Sequence, residues 1–208
     1  MARAAEVSAS LALTVKAKRD HVPPAVMWLS PLSPTAPPIH PGRYTLLQKN
    51  KMFSPHLLIV PVGSAVNFPN ADPFFHHVFS LFDGKRFDLG LYEAGSMRTV
   101  TFSREGVSYI FCNIHPDMSA VILSLSTPYF SAANGEGVFR IPDVPGGSYE
   151  LHVWVEGRRD DALNHLTRQV SITSEGVMNL GEIEAGPSQP GTHLNKFGRP
   201  YDTEHPSY

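Results

Sequence analysis

The sequence has a single cysteine, Cys112, among 208 residues. One thiol rules out an intramolecular disulfide, Cys-rich zinc sites, iron–sulfur clusters and any dinuclear copper centre bridged by two thiolates. Charge is also scarce. Asp, Glu, Lys and Arg make up 17% of the chain and the net formal charge is −2, without the basic excess that a nucleic-acid-binding surface requires. No run approaches the ~20 apolar residues of a membrane helix. In the N-terminal "MARAAEVSASLALTVKAKRD" the apolar part, Leu11 to Val15, is too short for the core of an export signal. That leaves a cytoplasmic chain or a mature form whose signal has been trimmed. Helical periodicity longer than a turn or two is missing, as is any internal repeat. Turn chemistry is plentiful: 19 prolines and 16 glycines punctuate a chain whose 42% apolar content is that of a globular protein.

Short alternating segments separated by these turns predict an all-β protein. "LALTVKAK" (Leu11 to Lys18) and "AVMWLSPL" read as an opening pair of strands. The proline-dense "SPLSPTAPPIHPG" that follows is a stiff connector and marks a boundary. From Tyr44 the short strands come at the spacing of a sandwich or barrel: "HHVFSLF" before an Asp83-Gly84 turn, two strands within "RFDLGLYEAGSMRTVTFSREGVSYIFCN", then "MSAVILSLST". After Thr127 the pattern resumes. In "SYELHVWVE", Tyr149, Leu151, Val153 and Val155 face one way while Glu150, His152, Trp154 and Glu156 face the other. The end from Gly186 has no periodicity and reads as an extended tail.

Chemistry concentrates in "FCNIHPDM", where His115 and Met118 follow Cys112 by three and six positions, with Pro116 stiffening the loop. Thiolate and thioether are soft ligands and imidazole is intermediate. Cys-His-His with a weak axial Met is the copper electron-transfer set. The loop supplies three of the four donors. The missing histidine is best sought in "FPNADPFFHHVFS". His76 and His77 are neighbours on a strand and point to opposite faces, so only one of them can reach a metal held by Cys112.

Together, "NFPNADPFFHHVFS" and "IFCNIHPDM" resemble the cupredoxins, the small blue-copper proteins of the plastocyanin and amicyanin type, over roughly 44–126. The resemblance implies a Greek-key β-sandwich with one type 1 copper ion. His76 stands at the upstream ligand histidine, Cys112 at the thiolate, His115 at the second histidine and Met118 at the axial ligand. His77 occupies a position that is usually Asn in the family, which keeps the choice between His76 and His77 open. Asn70 and Asn113 stand beside the ligand motifs as supporting residues or alternative donors. Pro116, Phe74 and Met52 would form an apolar docking patch. The family also implies one-electron transport rather than catalysis, a redox partner such as a cytochrome or a dehydrogenase, and a periplasmic or extracellular location.

The flanks carry a second resemblance. "TPYFSAANGEGVFRIPDVPGGSYELHVWVEGR" is similar to the later half of a carboxypeptidase-regulatory-like, transthyretin-like sandwich, and "LTVKAKRDHVPPAVMWLSPL" fits its opening. The expected organisation is therefore a discontinuous sandwich, 8–31 plus 127–185, interrupted by a linker at 32–43 and a cupredoxin unit at 44–126, with a tail at 186–208. The same arrangement, with the tail "HLNKFGRPY", resembles proteins of the methylamine utilization-like group.

The remaining polar residues read more plainly. His40, His56, His152 and His165 lack partners at ligand spacing. His193 and His205 lie in the tail. Trp28 and Trp154 pack in or on the second sandwich. Asp83, Asp88 and Glu93 read as solvated turn charges. Asp72 and Asp117 flank the ligand motifs, but nothing near them in sequence supplies a nucleophile for a carboxylate pair. A copper-binding or surface-assembly module without electron transfer is the alternative function.

Overall fold

The computed structural model describes residues 4–12, 22–33, 37–81, 84–158, 163–173, 176–186 and 194–201. Strands dominate, and the protein is all-β as the turn-rich sequence predicts. In chain order the first strands are β1 (Ala4–Ala12), β2 (Ala25–Pro31), β3 (Arg43–Thr45), β4 (Leu47–Lys49), β5 (Met52–Ser54) and β6 (Leu57–Pro61). Next come β7 (Ser64–Pro69), β8 (His76–Ser80), β9 (Phe87–Tyr92), β10 (Met97–Phe102), β11 (Gly106–Cys112) and β12 (His115–Leu125). The last are β13 (Phe130–Ala132), β14 (Val138–Pro145), β15 (Gly147–Val155), β16 (Arg168–Ile172) and β17 (Val177–Glu184).

The chain forms two compact units, Met1–Pro38 with Thr127–Gly191, and Ile39–Ser126 with Thr192–Tyr208. The first holds two sheets, ordered β14-β1-β17 and β13-β2-β15-β16. Tyr149, Leu151, Val153 and Val155 of β15 are buried, in keeping with their alternation, but so is Trp154 on the opposite face. Trp28 stacks on His152 at 5.1 Å across the β2–β15 pair. The opening strand lies earlier than the sequence pattern places it. β1 starts at Ala4, and its buried positions are Ala5, Val7, Ser8 and Ala9, whose small side chains give little hydrophobic signal. Residues 13–18 of the expected strand lie outside the described residues.

The second unit packs a five-stranded sheet, β6-β12-β11-β8-β9, with a three-stranded sheet, β10-β7-β3, and the β4–β5 hairpin. Its core joins Phe68, Phe102, Tyr92, Val66, Ile110 and Ile122 with Cys112 and Met118. Each large apolar side chain buried in this way stabilises the fold by roughly 1.5–3 kcal/mol. The segment expected to hold two strands holds three, β9, β10 and β11, because "EAGS" and "REG" each interrupt the strand pattern, with β10 in a different sheet from β9 and β11. Gly84 lies against β11 so closely that a Cβ would stand 2.4 Å from the Val107 carbonyl oxygen, so only glycine fits there.

Candidate metal centre

The centre is assembled from the adjoining ends of β8, β11 and β12. β8 pairs antiparallel with β11, and β11 with β12. The register shift after Phe111 sets Cys112 opposite His115, and this irregularity turns both side chains of the tight loop inward. The Asn113 amide donates to the His77 carbonyl at 2.8 Å, tying the loop to β8.

The chain entering β8 is fixed by its own polar side chains. Asn70 Oδ1 accepts the Asp72 amide at 3.0 Å, and Asn70 Nδ2 donates to the Phe74 carbonyl at 2.8 Å. This is the backbone-mimicking turn that Asn favours. The Asp72 carboxylate then accepts the amides of Asn50 at 2.6 Å and Lys51 at 2.9 Å. Both residues have φ +57° in the β4–β5 turn, a conformation that two-residue hairpins require and that lysine adopts rarely. The same carboxylate meets His76 Nε2 at 2.9 Å. One buried aspartate therefore joins the hairpin turn to the histidine ring.

The result is a buried cluster in which one donor atom from each of His76, Cys112 and His115 lies within 4.8 Å of the others. Cys112 Sγ is 3.6 Å from His76 Nδ1 and 3.4 Å from His115 Nδ1. Bonds of ~2.0 Å to nitrogen and ~2.3 Å to sulfur, at angles between tetrahedral and trigonal, span roughly 3.5–3.7 Å. These separations therefore fit one ion held by all three. The two imidazoles meet edge-on at 4.9 Å, and Phe74 covers both, 5.4 Å from the His76 ring and 5.6 Å from that of His115.

Protonation suits a ligand set. Burial, then the neighbouring His76, pulls His115 down to about 4. Burial also lowers His76 against the opposing pull of Asp72, so both rings are neutral at pH 7. Burial pushes the Cys112 thiol up, against amide hydrogen bonds from His77, Ile114 and His115. The thiol thus keeps its proton until a metal displaces it. Desolvation also raises Asp72, but the Lys51 amide, the His76 ring and the Asn50 amide outweigh it and leave the group lowered.

A neutral buried His115 couples stability to pH. Its folded value lies below the unfolded value near 6.5, so its contribution is complete above about 6.5 and is lost as pH falls toward 4. The unfolding free energy of the metal-free protein is expected to drop over that window, by up to ~1.4 kcal/mol per pH unit for this one group, and the urea midpoint with it. A midpoint that held level from pH 7 to pH 4.5 would contradict the assignment.

The other sequence candidates separate clearly. His77 is buried, and its Nε2 faces the carboxylate of Asp88 rather than the cluster. Asp88, expected to be a solvated turn charge, instead joins His77 to Lys196, whose Nζ donates to it at 2.9 Å. Desolvation opposes the change, but the Gly90 amide, Lys196 and His77 bring Asp88 down to about 2. Met118 is fully buried in the same core cluster as Cys112. Pro116 and Met52 are exposed, Phe74 is half-buried over the histidines, and Phe75, not singled out from the sequence, is 47% exposed beside it. Asp72 is buried and committed to His76, whereas Asp117 is exposed. His40, His56 and His165 are exposed, His56 with Nδ1 3.2 Å from the Ser119 carbonyl oxygen, and His152 pairs with Glu150. Asp83, His193 and His205 lie outside the described residues.

Sequence reasoning missed the Asp72–His76 contact. The i, i+4 spacing of the two residues was its only signal. It also missed the C-terminal stretch, read as an extended tail. There the Lys196 amide donates to Asn113 Oδ1 at 3.0 Å and the Tyr201 hydroxyl donates to the Cys112 carbonyl at 2.8 Å. Burial, then the neighbouring Cys112 side chain, pushes the Tyr201 phenol well above its ordinary range, so it remains a donor.

No family model and no curated protein matches the chain. Solved structures do. The chain is similar to a purple cupredoxin from Nitrosopumilus maritimus, 24% identical over 39% of this chain and 99% of that one, with a TM-score of 0.36. It is also similar to a copper-containing nitrite reductase from Thermus scotoductus SA-01, at 25% identity over 46% of this chain and a TM-score of 0.39. The match spans only 25% of that reductase. A reduced amicyanin variant matches at 17% identity over 48% of this chain and 98% of its own, with a TM-score of 0.38.

Proposed function

We propose that this protein binds one copper ion in a type 1 site and carries single electrons between redox partners. The observation that carries the reading is the buried convergence of one thiol and two imidazole nitrogens within 4.8 Å. A Cys-His-His donor set completed by a weak thioether is the combination that selects copper for electron transfer. In this reading His76 Nδ1, His115 Nδ1 and the Cys112 thiolate would hold the ion, and the Met118 thioether would be a weak fourth donor. Copper there would supply a one-electron couple. Asp72 holds the His76 proton on Nε2 and leaves Nδ1 free to ligate. Burial excludes water, and a closed ligand set leaves no open position of the kind hydrolases and oxygenases need.

His115, 8% exposed, would be the route to the surface, with Pro116, Phe74, Phe75 and Met52 as the apolar surface that meets a redox protein such as a cytochrome or a dehydrogenase. The small net charge of −2 gives little steering, so docking should depend weakly on salt. Among the described residues, no helix is long and apolar enough to cross a membrane. We place the protein in the periplasm or outside the cell, and we assign the other unit to a regulatory-like sandwich built from the two flanking segments.

Adding Cu(II) to the purified protein is expected to give an intense thiolate-to-copper visible band and a reversible one-electron couple, with Cys112→Ser losing both. No band in the wild type would overturn the reading. A band without a reversible couple would favour a copper-holding role without electron transfer.

A further inference from the structure

The C-terminal stretch Asn195–Tyr201 belongs to the same compact unit as Cys112, although the segment Thr127–Gly191 of the other unit intervenes in sequence. Its contacts fall on the residues that frame the ligands. The Tyr201 hydroxyl holds the Cys112 carbonyl at 2.8 Å, the Lys196 amide holds the Asn113 side chain at 3.0 Å, and Lys196 Nζ holds Asp88, the partner of His77, at 2.9 Å. The stretch is preshaped for this. Asn195 Oδ1 accepts the amides of Phe197 and Arg199, at 2.9 Å and 3.1 Å. The Gly198 amide returns to the Asn195 carbonyl, with Gly198 at φ +72°. A turn closed by its own hydrogen bonds loses little further freedom when it docks.

A segment that served only general stability would be expected to bury its apolar side chains. Here Phe197 is 70% exposed and Leu194 47% exposed. The described attachment is polar and directed at the Cys112 carbonyl, the Asn113 side chain and Asp88 of β9. We propose that Asn195–Tyr201 is a positioning strap of the metal centre. It holds the Cys112 loop from its carbonyl side, so that the sulfur and the two imidazoles keep ligand spacing with or without metal. Tyr201 and Asn195 are its positioning residues, the first by its hydroxyl and the second by closing the turn. This inference rests on the copper reading above for its consequence, but not for its geometry.

The test compares full-length wild type with Tyr201→Phe and Asn195→Ala, and with Asn195→Asp, which keeps the turn-closing acceptor. In the metal-free proteins the rate at which a disulfide dye modifies Cys112 is expected to rise roughly 5–10-fold in the first two, the weight of one or two hydrogen bonds. Urea midpoints should fall by no more than the weight of the same one or two hydrogen bonds, and Asn195→Asp should be close to wild type in both measurements. In the Cu(II)-loaded proteins the thiolate band is expected to shift, and copper loss to a chelator to quicken by a similar factor. Unchanged modification rates would overturn the strap, as would rates that climb steeply with low urea in the variants, the sign that Cys112 is reached through global unfolding rather than local opening. If the wild type took up no copper, the copper reading would fail and the dye rates alone would still decide whether the segment positions the loop.

Discussion

Replacing His76 with alanine is expected to abolish the thiolate-to-copper band and to weaken copper binding by about 100-fold or more, while His77→Ala keeps the band. The two histidines are adjacent on β8, both buried, and the strand sends them to opposite sides. His76 Nδ1 is 3.6 Å from the Cys112 sulfur. His77 instead engages Asp88, with Lys196 Nζ 3.5 Å from its Nε2. Removing His76 deletes one of two nitrogens from the donor set and leaves Asp72 facing an empty space. Removing His77 deletes a hydrogen bond at the edge of the β8–β9 pair, costing ~1–2 kcal/mol of stability without touching a donor atom. Cu(II) titration followed by visible absorption separates the two variants. A band that survives His76→Ala and disappears in His77→Ala would mean that the rings exchange places when metal binds.

Much of this centre shows in local sequence because its donors lie on short, regular spacings. Cys112 and His115 are three residues apart on a loop stiffened by Pro116, and the strand period alone says that His76 and His77 cannot both point inward. The all-β class was equally legible, since turn residues and two-residue alternation are local signals. The supports were harder to see, for two reasons. The bonds from Lys196 to Asn113 and from Tyr201 to Cys112 join residues 83 and 89 positions apart, and polar contacts over such distances leave no periodicity. Asp88 reads as a turn charge because nothing nearby in the chain announces Lys196. The start of β1 at Ala4 does not show in the sequence because alternating Ala and Val carry little contrast, and the parallel pairing with β17 is formed across more than 160 residues.

The second large effect is expected at Asp72. The Asp72→Asn protein should bind copper ~10–100-fold more weakly, the usual weight of a carboxylate behind a metal-bound histidine. It should also lose ~1–3 kcal/mol of stability at neutral pH. The carboxylate accepts three N–H groups, from Asn50, Lys51 and the His76 ring. An amide offers one oxygen and turns its NH2 toward donors, so at least one buried N–H loses its partner. The loss of negative charge beside His76 favours the reduced ion over the oxidised one, and the reduction potential should rise. The stability difference has a defined pH dependence. Asp72 in the folded protein titrates below its ordinary 3.8, so its contribution is complete above about 4 and disappears as pH falls through the lowered folded value. Wild type and Asp72→Asn should therefore differ in urea midpoint at pH 7 and draw together as pH falls below the lowered folded value. If the variant differed from wild type in midpoint but matched it in copper affinity and potential, Asp72 would serve the Asn50–Lys51 turn alone. A change in all three places the carboxylate in the metal centre, because the hairpin by itself offers no means of moving the potential.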